Sequence, residues 1–474
     1  MAESNYMMCR NNITIYIFFT QSLVNLREID VAGCNDLRKI PSLLGAINLE
    51  ILECTGCTSL VELPCLNHLA SLIKLGLSGC NNLKTFPEVP KHFSILELDR
   101  TKIEEVPDSV EHLVGLTMLC LRNSKVNIVS SNISKLESLR ALDLSHCPIV
   151  KFPEIPRSLK TLSLSGTQIE EATLSLDSLN NLQELKMSYS SIQKLQCNII
   201  LFGSREIPTV DVSSPILMSK SIYSVEMEHC KSLKLLSELP PYIQYLDAHG
   251  CTSLENVSFT DKNSYQLDPL DYNVNWFYML FCNCFSLNQD SIDNIEANAM
   301  LKIGYLAEKQ RLTWENPYRR YELSCCLPGN KISANKFQYQ RRSSSLVLKI
   351  APNESSRSRF LVFSICLVAD LKGCNHHRYL KVICKYQLTT ASGDGYEKFT
   401  SEWMFFIQDD TEWKYMGDHV LVLFSGDMVK KDKDYEVASF EFYIFNMEGE
   451  DTKVEKCGVH VSYVDEEPTT TPST

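Results

Sequence analysis

The chain has 474 residues, 44% hydrophobic and 22% charged, which fits two or three folded domains and excludes a disordered or fibrous chain. Its net charge of −12 is spread along both halves, and an acidic chain without a basic patch is a poor match for a nucleic-acid backbone. The 19 cysteines, an odd number, suit a reducing compartment in which free thiols pack as small apolar groups, and argue against a disulfide scaffold.

The first predicted element is weak. Ile13, Ile15, Tyr16, Ile17, Phe18 and Phe19 follow Arg10 as an apolar run too short to span a bilayer. No small-residue cleavage site follows it, so a strand or the ragged end of a repeat fits better than a secretion signal. Residues 1–21 are expected to be an irregular segment.

From residue 22 a period appears. Ten segments, from Leu26/Ile29/Val31 to Ile243/Leu246/Ala248, share apolar-x-x-apolar-x-apolar and then a small anchor three residues on. The anchors are Cys34, Cys57, Cys80, Thr101, Ser124, Cys147, Thr167, Ser190, Cys230 and Cys251, spaced 20–23 residues apart except for one interval of 40. Residues 196–220 within that interval hold a degenerate repeat or an insertion. An apolar residue follows each anchor, and prolines such as Pro41, Pro64, Pro87, Pro107 and Pro153 follow that. This is the signature of a leucine-rich-repeat solenoid, an α/β-type horseshoe with irregular repeats of about 23 residues. One repeat cannot bury its apolar face, but a stack can.

The period absorbs one tempting motif. Cys54-Thr55-Gly56-Cys57 is a CxxC, but Cys54 falls in a core column and Cys57 in the anchor column, with no second pair to complete a zinc site. Alternation along each strand also selects an outward column: Asp30, Glu53, Gly76, Glu97, Cys120, Asp143, Ser163, Lys186, Glu226 and Asp247. The neighbouring column adds Asp99, Arg122, Glu228 and His249. The charged members predict a net-negative concave face, interrupted by Arg122 and Lys186, that selects a protein partner with a basic contact patch. A merely solvated face is the plainer reading.

The period ends after Val257. Polar residues 258–275, with Pro269, read as a linker. Ile292, Ile295, Ala299, Ile303 and Leu306 then recur at helical spacing, and a helix is expected over about 288–308 with Asn288 or Asp290 as its cap. Seven strands follow: Ser345–Ile350, Phe360–Ala369, Tyr379–Leu388, Glu402–Ile407, His419–Phe424, Val437–Phe445 and Val454–Val464. Their number and alternation predict an antiparallel β-sandwich.

No catalytic set emerges. Cys374, His376 and His377, with Cys384 beyond, read as a polar turn, and Asp409, Asp410 and Glu412 as a solvated loop. Asn132-Ile133-Ser134 and Asn353-Glu354-Ser355 are glycosylation sequons, which matter only in a secreted chain. No catalytic, metal or cofactor residue is assigned, and no cofactor is expected.

Three further motifs carry a resemblance. Phe281-Cys282-Asn283-Cys284-Phe285-Ser286-Leu287-Asn288, Cys326-Leu327-Pro328-Gly329 and Lys456-Cys457-Gly458-Val459-His460 occur in that order after repeats containing Leu77-Ser78-Gly79-Cys80 and Phe86-Pro87. The chain over residues 22–464 resembles the C-terminal part of plant intracellular immune receptors of the TIR, nucleotide-binding, leucine-rich-repeat class. It departs at Lys336-Phe337, where the family has Trp-Phe. No Gly is followed by Lys, so the sequence holds no Walker A motif, and nothing in it resembles the NAD-cleaving TIR domain.

The resemblance implies leucine-rich repeats over 22–257, a linker over 258–275, a C-terminal jelly-roll/Ig-like β-sandwich domain over 276–464 and a disordered tail over 465–474. It implies a non-enzymatic recognition module of the cytoplasm or nucleus that binds a pathogen effector or a guarded host protein, with no nucleic acid and no membrane as partner. Two rivals stay open. A secreted or cell-surface repeat receptor would carry Leu-x-Gly-x-Ile-Pro repeats and paired cysteine caps, which are absent from this sequence. An activity hidden in the β-domain would show as nucleotide or nicotinamide binding by residues 258–474.

Overall fold

The computed structural model describes residues 6–8, 23–175, 181–198, 222–260, 274–314, 320–352, 359–372, 379–391, 395–406, 414–446 and 451–465. They fall into two compact units, one carrying the repeats up to Leu233 and one running on from Lys234.

In the first unit each repeat contributes a three-residue strand. Consecutive strands pair in parallel and in register, from Glu28–Asp30 and Ile51–Glu53 through Ala141–Asp143 to Ser224–Glu226. The middle residue of each strand points inward, and Leu49, Leu52, Cys54 and Leu60 of the second repeat are all fully buried. Each buried leucine contributes about 2 kcal/mol. Tyr6–Met8 adds one more parallel strand beside Glu28–Asp30, so the opening segment is not wholly irregular as expected. The strand meets the unpaired backbone edge that the first repeat would otherwise expose. The apolar run at 13–19 and the 199–221 part of the long interval lie outside the described residues.

The anchors are explained by hydrogen bonds. The Cys57, Cys80, Cys147 and Cys230 thiols donate to the carbonyls of Val31, Cys54, Leu121 and Met187, the third apolar position of the preceding repeat, at 3.0–3.1 Å. Thr101 and Thr167 donate instead to Leu98 and Leu164 of their own repeat, at 2.9 and 2.7 Å. The residue before every anchor takes a left-handed conformation: Gly33, Gly56, Gly79 and Gly166, but also Arg100, Asn123, His146, Tyr189 and His229. Glycine does this without a Cβ clash, and other residues cost roughly 1 kcal/mol. The return segments use 3-10 turns (Asp108–His112, Ser131–Lys135) and short strand pairs such as Glu105–Val106 with Ile128–Val129.

The second unit opens with the tenth repeat, whose strand β1 (Tyr245–Asp247) pairs in parallel with β2 (Trp276–Leu280). β2 belongs to an eleventh turn. Asn283 is left-handed like Gly250, and Cys284 donates its thiol to Ala248 at 3.0 Å, as an anchor does. The repeat therefore continues past the expected boundary at 276, and Asn256–Phe259 is itself a strand. Residues 261–273 of the expected linker lie outside the described residues.

Next comes helix α1 (Gln289–Leu312), capped by the Asn288 side chain, which accepts from Ser291 N at 2.8 Å. Strand β3 (Glu322–Pro328), not anticipated from sequence, joins two kinds of sheet. One edge pairs in parallel with β2 and the other antiparallel with β8 (Asp418–Ser425). The seven expected strands are β4 (Ser345–Lys349), β5 (Arg359–Asp370), β6 (Tyr379–Thr390), β7 (Tyr396–Phe406), β8, β9 (Tyr435–Phe445) and β10 (Val454–Asp465). β8, β5 and β10 extend the sheet from β3, while β4, β9, β6 and β7 form a second sheet, all antiparallel.

Leu361, Phe363, Ile365, Leu421 and Val459 of the first sheet pack against Val382, Trp403, Phe440 and Ile444 of the second. Helix α1 packs on the first sheet as well, which is why β5 is buried along nearly its whole length. The fold is thus a leucine-rich-repeat parallel sheet followed by an antiparallel β-region with a helical layer.

Candidate functional site

The outward face of the ladder is built from the backbone upward. Val31 and Gly33 donate their amides to Glu53 and Thr55 of the next strand, at 2.8 Å each. The Ala32 amide between them has no ladder partner and faces outward. Asp30 takes it at 3.0 Å through Oδ1. The same arrangement recurs where Glu53 accepts from Thr55 N (3.1 Å), Asp143 from Ser145 N (2.9 Å) and Asp247 from His249 N (3.0 Å). In the fifth repeat the column holds Cys120, which cannot cap, and the Arg122 amide goes instead to Asp99 of the preceding repeat at 2.8 Å. Four of the six acidic residues at this column, Asp30, Glu53, Asp143 and Asp247, are therefore first of all caps for stranded amides.

Charge is compensated along the face. Lys74 reaches Glu53 Oε2 at 3.0 Å, across the space that a side chain at Gly76 would fill. Burial opposes ionisation of Glu53, yet Thr55 and Lys74 hold its carboxyl below the usual range. Arg122 meets Asp143 at 3.2 Å, so Asp99, Arg122 and Asp143 form one cluster over three consecutive repeats. Burial raises the Asp99 carboxyl. Lys186 pairs with Glu226 at 3.0 Å, and Glu228 is half-buried nearby. Exposed pairs of this kind contribute at most about 1 kcal/mol each. Glu97 alone in the column is exposed, with no ion pair among the described residues.

Two expected site residues do not reach the surface. Asp247 and His249 are each 1% exposed, and the His249 Nδ1 lies 2.8 Å from Asp247 Oδ1, with the Tyr245 hydroxyl donating to the other oxygen at 3.1 Å. The eleventh turn and its neighbours enclose them, whereas the period legible in the sequence ends at 257. The same early end hid the outward residues Trp276 and Tyr278. The pair Asn283-Cys284, a left-handed position and an anchor, was the signal that could have found them.

Cys54 and Cys57 are buried in the ladder, and burial pushes the Cys54 thiol well up. The Cys374–His377 cluster, the Asn353 sequon and the acidic run at 409–412 lie outside the described residues. No helix among the described residues is long and apolar enough to cross a membrane.

The family model described as Leucine Rich Repeat matches residues 138–159, the sixth repeat. Over longer spans the chain is similar to three proteins of Arabidopsis thaliana. It is 28% identical to Disease resistance protein RPS4B over 77% of this chain and 30% of that protein. It is 28% identical to Disease resistance-like protein DSC1 over 78% and 34%. It is 29% identical to Disease resistance protein RPS4 over 61% and 22%. A solved leucine-rich-repeat protein of Leptospira interrogans aligns at 15% identity over 58% of this chain and 94% of its own, with a TM-score of 0.23, too loose a superposition to bear on the fold. The chain spans about a third or less of the length of these relatives, but a match over 77% of it outruns the repeats and takes in the β-region. By its repeats and its C-terminal β-region together, the chain is similar to the plant TIR-type nucleotide-binding leucine-rich-repeat disease resistance proteins.

Proposed function

We propose that this chain is the recognition part of a plant intracellular immune receptor, acting in the cytoplasm or nucleus, and that it binds a pathogen effector or an effector-modified host protein. The observation that carries the reading is the similarity to disease resistance proteins through repeats and β-region together. The repeats present a face of ordered charge held rigid by backbone caps, and such a face sets encounter rate and partner choice more than affinity. Signalling would belong to other domains of the relatives.

The structure selects the variant for a test. Reversing Glu53 or Asp143 would also uncap a backbone amide, whereas Glu97→Lys breaks neither a cap nor a pair. Association of the purified chain with a panel of effector proteins is measured at low and moderate salt. For a true partner, Glu97→Lys slows association several-fold and flattens its salt dependence. A partner that binds with an unchanged rate and salt slope overturns the acidic-face reading, and a panel without any partner counts against the receptor reading.

A further inference from the structure

The strands of the last two turns of the ladder differ from the other described repeat strands in what they present outward. The nine repeat strands from Glu28–Asp30 to Ser224–Glu226 carry no aromatic residue. β1 and β2 carry three on the outward face: Tyr245, Trp276 and Tyr278, while Phe277 and Met279, which alternate with the last two, are fully buried. The register sets Tyr245 opposite Tyr278, and Trp276 opposite Glu322 of β3. The Trp276 and Tyr278 rings lie 5.3 Å apart, and the Tyr245 ring is 6.4 Å from Trp276 and 6.5 Å from Tyr278. Trp276 is 36% exposed and the tyrosines are half-buried. Large rings on a sheet face, wet on one side and braced on the other, are the usual anchors of protein interfaces.

Glu322 gives the patch its polarity. The Tyr278 hydroxyl donates to its Oε1 at 3.2 Å and the Ser324 hydroxyl to the same oxygen at 3.1 Å. Its Oε2 has no protein partner among the described residues, and the exposed Arg320 makes no salt bridge to it there. The carboxylate is thus half-buried and fixed through Oε1, with Oε2 unpaired among the described residues, beside aromatic faces. A guanidinium matches both halves: it stacks flat on an indole or phenol and donates to a carboxylate in one geometry. An ammonium, more strongly hydrated and not planar, matches less well.

We propose that Tyr245, Trp276, Tyr278 and Glu322 form a recognition site for an arginine side chain of the protein partner. The inference rests on the protein-binding reading above and adds to it a second contact with its own chemistry. The full chain is titrated by calorimetry with a capped pentapeptide of glycines around one central arginine, and with its lysine and citrulline counterparts. The arginine peptide binds, the lysine peptide binds more weakly, and the citrulline peptide is weaker by about tenfold. Trp276→Ala and the isosteric Glu322→Gln each weaken the arginine peptide by about fivefold or more, and Trp276→Phe by less. Glu97→Lys leaves its affinity unchanged.

Equal binding of arginine and citrulline peptides overturns the proposal, as does undiminished affinity in Glu322→Gln, or no measurable binding at all. The two readings fail separately. Effector binding that responds to Glu97→Lys while no arginine peptide responds to Glu322→Gln sinks only this inference. The opposite pattern sinks only the acidic-face reading.

Discussion

Lys302 lies on the buried face of α1 and is 0% exposed. Its Nζ is 3.2 Å from Met279 Sδ and 5.1 and 5.7 Å from the ring centroids of Phe277 and Phe259, with no carboxylate paired to it among the described residues. Burial pushes its pKa down to about 7, from an ordinary 10.5. The unfolded chain keeps the ordinary proton affinity, so between pH about 7 and about 10 it holds the extra proton and stability rises with pH. Below about 7 the charge is present in both states and the full cost of burying it is felt. Lys302→Met should raise stability at neutral pH by about 2–4 kcal/mol and abolish the rise. Urea unfolding across that window checks both, and a rise that persists in the variant would assign it to another group. The helical period was readable from Ile295, Ala299, Ile303 and Leu306. That a lysine shares their buried face was not, because lysine's usual place is solvent and only the surrounding layers remove that option.

At the scale of elements, the post-repeat motif acts as a latch. Asn283, at φ 62°, donates its side-chain amide to Lys414 O at 2.7 Å and accepts from Met416 N at 2.9 Å. Its backbone amide donates to His419 Nε2 at 3.1 Å, and Phe285 lies edge-on to the same imidazole at 5.7 Å. His419 is held neutral, with Nδ1 on Gly417 O at 2.8 Å, and burial lowers its pKa to about 4. The motif therefore ties the eleventh turn to the segment leading into β8. Asn283→Ala loses two part-buried hydrogen bonds and gains left-handed strain, together about 3 kcal/mol, whereas Asn283→Gly loses only the bonds, about 2 kcal/mol. Chemical denaturation of the two variants separates the terms, and equal losses would mean that the backbone conformation costs nothing there. The departure at Lys336-Phe337 is absorbed locally. Lys336 pairs with Glu296 of α1 at 2.9 Å, and Phe337 packs where a side chain at Gly458 would come within 3.3 Å of it.

At the scale of the whole molecule, β3 decides where the second unit can be cut. It takes its parallel partner from the last turn and its antiparallel partner from the β-region, so neither sheet is complete without it. A fragment of residues 234–474 should unfold in one cooperative transition. A fragment beginning at 288 keeps α1 and the β-region but exposes the β2-facing edge of β3, and should self-associate or melt lower. Sedimentation and thermal unfolding of the two fragments distinguish these, and a monomeric shorter fragment with an unchanged Tm would show that the turn is dispensable. The repeat part of this architecture was legible because its columns recur ten times. The face it presents was legible only in outline: Glu97 stands free, but Asp30, Glu53 and Asp143 proved to be capping residues first, a role that depends on which amides the ladder leaves unpaired.

By itself the sequence determined the repeat, its inward columns and its anchors, the helix after it, and the seven strands of the β-region. Each of these depends on local periodicity, which is written in the order of residues. Tertiary structure alone decided that an eleventh turn lies beyond residue 257, that β3 fuses a parallel ladder to an antiparallel sheet, and that Asp247 and His249 are enclosed while Trp276 and Tyr278 face outward. These outcomes turn on pairing between segments distant in the chain, and pairing fixes which edge is filled and which side chains solvent can reach.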